Sequence, residues 1–107
     1  MTGISLVVTY VAKHTYAYQF TFTDETTGNK VDPSAITFEA WREVNGRFQL
    51  QDTKVIGDAT HDGLGIYTFK YDHPKGGTYR MAINAPSSGQ YFAFEVEVII
   101  TPSVREQ

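Results

Sequence analysis

The sequence contains no cysteine. That excludes a disulfide framework, a Cys-based zinc site and a thiol nucleophile. It has only four prolines and one tryptophan, and no apolar run approaching the roughly 20 residues that cross a bilayer as a helix. The most apolar N-terminal stretch, residues 4–12, is interrupted by Ser5 and Thr9, and no Lys or Arg precedes it. It therefore reads as a strand and not as a secretory signal. The expectation is a soluble chain with no signal peptide and no transmembrane segment. Positive charge is also scarce: nine Lys and Arg against twelve Asp and Glu give a net charge of −3. With the basic residues scattered, a nucleic-acid surface is not expected. Helical periodicity is missing too, since no long stretch carries apolar residues at i, i+3, i+4 and i+7.

What is present is alternation. The 107 residues are sized for a single domain, 1–107, with an ordered core at about 4–101. Residues 4–12 place Ile4, Leu6, Val8 and Tyr10 on one face, and 16–23 place Tyr16, Tyr18, Phe20 and Phe22 on one face. After a polar loop at 24–35, residues 36–44 carry Ile36, Phe38 and Ala40 opposite Trp41. Asn45-Gly46 is a strong hairpin signal, because a type I′ turn needs positive φ at both central residues. A strand over 47–56 follows, then a polar loop at 57–64. Further strands run over 65–71, 78–85 and 91–101, with turns at 72–77 and 86–89. Beyond 101 the tail is expected to fray. The seven tyrosines, seven phenylalanines and Trp41 all fall within these strands, which reads as sheet packing.

Seven short strands with regular turns predict an all-β, immunoglobulin-like antiparallel sandwich of fibronectin-III-like topology. One sheet would hold 4–12, 16–23 and 65–71; the other would hold 47–56, 36–44, 78–85 and 91–101. Loops 24–35, 57–64 and 86–90 then fall at one end, and 13–15, 45–46 and 72–77 at the other. Two segments sharpen this. Gly65-Ile66-Tyr67-Thr68-Phe69-Lys70-Tyr71, followed by Gly77-Thr78-Tyr79-Arg80-Met81, resembles strands E and F of immunoglobulin-like modules, with Tyr79 at the tyrosine corner. Asp32-Pro33-Ser34-Ala35-Ile36-Thr37-Phe38 is similar to the entry into strand C of the same modules. The resemblance covers about residues 32–85. Such modules occur in bacterial surface proteins and in phage virion proteins, as accessories of capsids and tails. A Met-initiated chain without a signal resembles the phage case, which implies a virion location.

Candidate chemistry is sparse. Asp24, Glu25, Asp32, Asp58 and Asp62 gather at one end, but calcium wants about 6–8 oxygens. No Asp-x-Asp-x-Asp-Gly run is present and Lys30 shares the loop. These read as solvated loop acids, with calcium left open. His14 and His73 lie in loops at the other end, away from His61, and read as surface residues; zinc would need three or four ligands. No serine triad, carboxylate cleft or phosphate loop can be assembled. No cofactor, no metal and no enzymatic activity are therefore expected.

The anomaly is apolar residues on both faces of the terminal strands. Val7 and Val11 oppose Ile4, Leu6 and Val8, while Tyr91 and Ile99 oppose Phe92, Phe94 and Val96. Together with Trp41, the residues Val7, Val11, Tyr91 and Ile99 are the candidate interaction surface. The leading expectation is a non-catalytic structural module that self-associates or docks on a protein partner, with neither nucleic acid nor membrane as partner. The alternative is a carbohydrate-binding module using Trp41, Tyr91 and the loop end at 24–35, 57–64 and 86–90.

Overall fold

The computed structural model describes residues 3–87 and 90–101. The turn at 88–89 and the tail beyond 101, both anticipated from sequence, lie outside the described residues. Eight strands form two antiparallel four-stranded sheets. They are β1 (Ile4–Ala12), β2 (Thr15–Phe22), β3 (Thr37–Val44), β4 (Arg47–Val55), β5 (Thr60–Gly63), β6 (Ile66–Asp72), β7 (Gly77–Ser87) and β8 (Gln90–Ile100). The first sheet has the order β1-β2-β6-β5 and the second β4-β3-β7-β8. Among the described residues no helix is long and apolar enough to cross a membrane.

The alternation read in the sequence becomes the core. Tyr18, Phe20 and Phe22 of β2 are fully buried, as are Phe38, Phe69, Tyr79, Met81 and Ile83. Their rings interlock between the sheets: Phe38 stacks on Phe69 at 4.8 Å, and Phe20 meets Phe38 edge-on at 5.7 Å. Such pairs contribute about 0.5–1.5 kcal/mol each beyond their area. Without a disulfide, this aromatic layer is what joins the sheets. The Asn45-Gly46 hairpin has φ of 53° and 81°, the signs that a type I′ turn requires.

Several expectations are corrected. The strands number eight and not seven, because Thr60–Gly63 leaves the expected 57–64 loop to pair with β6. Its sequence, THDG, carries no apolar alternation, since neither face of this edge strand is covered. Pairing is held by backbone bonds and by Asp62, which accepts from Thr68 and from Gln19. Strand pairing extends into the expected 86–89 turn: Pro86 pairs with Tyr91 and Ser87 with Gln90. Proline is tolerated there because β3 begins only opposite Asn84, so no strand needs its missing donor on that side. Val8 and Tyr10 point in phase with the core yet are exposed, on an edge strand of the first sheet.

The loops cluster at two ends. His73 N–H donates to the His14 carbonyl at 3.0 Å, joining the 13–15 and 72–77 turns. At the opposite end Asp32 accepts from Gly65 N–H, and Ser34 N–H donates to the Pro86 carbonyl at 2.9 Å.

Candidate functional site

Two surfaces stand out, and the strand order creates both. The first is the wall where edge strand β1 stacks over edge strand β8. The two run in the same direction, as the pairings Ile4 with Phe22 and Gly77 with Ile100, together with the ring contact of Phe22 and Phe92, require. Among the described residues β1 hydrogen-bonds only to β2, so its other edge is open. Val7 is 58% exposed, Tyr10 60% and Val11 45%, and Val8 is exposed beside them. Val11 is the extra residue of a bulge between Tyr10 and Ala12. Ile99, on the outward face of β8, is 75% exposed.

Open edges invite strand pairing and are usually blunted by charge, proline or shortness. Three edges here follow that rule. β4 carries Arg47, Asp52 and Lys54; β5 is four residues long with Asp62; β8 carries Glu95 and Glu97. β1 is nine residues long with neither a charge nor a proline.

The second surface is the outward face of the second sheet. On β7, Arg80, Ala82 and Asn84 face out; Glu39 and Trp41 flank them from β3, and Ala93 and Glu95 from β8. The small side chains of Ala82 and Ala93 leave a trough of about 620 Å³ whose wall also includes Phe48 of β4. The Arg80 guanidinium lies 4.1 Å from the Phe48 ring centroid and 3.5 Å from Glu95. Tyr91 projects beyond one end, and its hydroxyl donates to Asn84 Oδ1 at 2.8 Å.

Two polar knots stand apart from these surfaces, one buried and one exposed. His73, expected at the surface, is 1% exposed. Its Nε2 is hydrogen-bonded to the Tyr18 hydroxyl at 2.6 Å, and the Tyr71 and Tyr79 rings meet it edge-on at 4.7 and 4.3 Å. Its Nδ1 is buried without a hydrogen-bond partner. Burial pushes the His73 pKa down to about 4, with His14 adding to the effect and Asp72 opposing it. Burial likewise raises Tyr18 and takes Tyr71 to about 12. At the other end, Asp32 accepts from Gly65 N–H at 2.6 Å and from His61 at 3.1 Å, while His61 stacks on Tyr67 at 4.4 Å. The Gly65 hydrogen bond holds the Asp32 carboxyl below the usual range; burial opposes it, and His61 and Tyr67 add to it.

The loop acids are thus dispersed over separate tasks. Asp24 accepts from Thr26 and Thr27 N–H, and Asp58 from Val55 N–H. Among the described residues no three His, Asp or Glu side chains form a group that could hold a metal ion.

Of the sequence candidates, Val7 and Val11 lie exposed on β1 of the first sheet, whereas Ile99 lies exposed on the outward face of β8 in the second, so the two groups are on different sheets. Trp41 and Tyr91 share the outward face of the second sheet but do not meet. Trp41 pairs with Arg80 and Tyr91 with Pro86, six residues apart along β7, or about 20 Å. Trp41 is half-buried in mid-sheet and not at the loop end. The β3–β7 register continues through it, and the irregularity lies on the β4 side, where Ala40 faces Asp52 but Trp41 faces Leu50. The sequence reading missed Arg80, Phe48, Ala82 and Asn84. Their outward phase was legible, but the concavity arises only when β3, β7 and β8 lie side by side.

Neither a family model nor a curated protein matches this chain. A solved structure, MtrC from Shewanella baltica OS185, is similar in fold, with a TM-score of 0.66 at 12% identity. The match covers 97% of this chain and 23% of that one, so the present chain spans under a quarter of the length of its structural neighbour. At this identity the likeness is one of fold, an all-β sandwich.

Proposed function

We propose that this chain is a non-catalytic, immunoglobulin-like interaction module that self-associates through β1. The carrying observation is this edge: nine residues, no charge, no proline, a bulge only at Val11 near its end, and apolar side chains exposed on both faces. A strand added to that edge must be apolar on both faces to match it. The protein's own β1 has that property, which favours a second copy in antiparallel β1–β1 pairing about a twofold axis. The partly buried Val96 and Val98 lie on β8, the edge strand of the other sheet that runs alongside β1.

The immunoglobulin-like reading is supported by the tyrosine corner. The Tyr79 hydroxyl donates to the Lys75 carbonyl at 2.6 Å and accepts from Lys75 N–H at 3.3 Å, the upstream backbone contact of that motif. The setting we propose, a virion accessory or assembly protein, rests on the resemblance over residues 32–85. Neighbouring capsid or tail genes are the expected finding, and a locus without them would remove that setting.

Hydrogen–deuterium exchange at rising protein concentration tests the association. β1 amides should gain protection while those of β5, the short edge on the opposite side, stay unchanged. Exchange in β1 that does not depend on concentration would refute the pairing.

A further inference from the structure

The trough on the second sheet has a composition that points to a ligand. Its floor is Ala82 and Ala93, so a flat group can approach the strands closely. Glu39 and Glu95 stand on either side of Ala82, two strand spacings or about 10 Å apart at the backbone. Both are acceptors. Asn84 supplies a donor and an acceptor together, and Arg80 supplies planar donors. Trp41 adds an aromatic wall.

The charge balance selects among ligands. An anion would meet two carboxylates and a single guanidinium that Glu95 already engages at 3.5 Å. A cation would compete with Arg80, which already occupies the aromatic face of Phe48 at 4.1 Å. A purely apolar ligand would strip water from the carboxylates without replacing their hydrogen bonds. A neutral polyhydroxylated ring meets none of these penalties. Its hydroxyls both donate and accept, and its C–H face is apolar enough to lie against an indole.

We propose that this trough is a binding site for a neutral saccharide. Trp41 packs on one pyranose face, and Glu39, Glu95, Asn84 and Arg80 take the hydroxyls. The site lies on the second sheet's outward face, distinct from the β1 edge, so ligand binding and self-association can be assayed separately.

Trp41 is the sole tryptophan and reports on the site directly. The full chain is screened on an array of neutral glycans, and the glycan with the strongest signal is titrated while Trp41 emission is followed. The expected result is a saturable emission change. Trp41→Ala should abolish array binding. Ala82→Leu, which fills the trough floor from the solvent side and keeps the reporter, should weaken binding at least about tenfold with unchanged circular dichroism. No glycan binding, an unchanged affinity in Ala82→Leu, or an emission change with a lysine-rich peptide and not with glycans would each overturn the assignment.

Discussion

His73 makes the fold acid-labile in a way that can be isolated. The ring is 1% exposed, tied to the Tyr18 hydroxyl at 2.6 Å and enclosed by Tyr16, Tyr71 and Tyr79. Burial holds its pKa at about 4, whereas in the unfolded chain it titrates near about 6.5. The folded pKa is depressed, so the unfolded state binds the proton more readily. The stability is therefore fully present above about pH 6.5 and is lost as pH falls toward about 4. At about 1.4 kcal/mol for each pH unit between the two values, the cost approaches roughly 3 kcal/mol. For a domain of this size that corresponds to a fall in Tm of about 12 °C or more.

The assay is thermal unfolding of the wild type and His73→Gln at pH 7 and again near pH 4.5. Gln retains a polar partner for Tyr18 but cannot titrate. The variant should be less stable at neutral pH and lose much less on acidification. Carboxylates elsewhere titrate equally in both proteins, so the difference between the two curves belongs to His73. Parallel curves would refute the reasoning.

Gly65→Ala should cost at least about 2 kcal/mol in urea unfolding. Its φ is +73°, and an added Cβ would lie 2.7 Å from the Phe22 carbonyl oxygen. Asp32→Asn should cost about 1 kcal/mol at pH 7 by weakening the solvent-screened bonds to Gly65 and His61. Because the Asp32 pKa is lowered on folding, that stability is present above about pH 4 and lost below it, so the variant's acid limb should be shallower. Tyr79→Phe should cost about 1 kcal/mol or somewhat more by freeing the Lys75 carbonyl, with chemical denaturation as the readout.

Much of the framework was legible because its determinants are local. The run Tyr16, Tyr18, Phe20, Phe22 alternates with small and polar residues, and three of the four are buried. Asn45-Gly46 announces its own hairpin. The features that escaped are long-range. β5 is specified by backbone pairing and by Asp62 contacts to other strands, which leave no period in THDG. His73 follows Asp72 and precedes Pro74, a local signature of an exposed turn. Its burial depends on Tyr18, 55 positions earlier. Val8 and Tyr10 obey the core period, but they sit on an edge strand and stay exposed. The trough needed three strands in register before two alanines could become a floor. Only Trp41, out of phase with the core, hinted at it.

The claim that β1 is a self-pairing edge is tested most directly by sedimentation velocity across micromolar concentrations, comparing the wild type with Val7→Lys plus Val11→Lys. Both valines are exposed in the isolated chain, so lysine there should leave the fold intact and restore the charge that a free edge lacks. A concentration-dependent dimer is expected for the wild type and a monomer for the variant, with similar unfolding curves at low concentration. A wild type that stays monomeric throughout, or a variant that dimerises as well as the wild type, would contradict it.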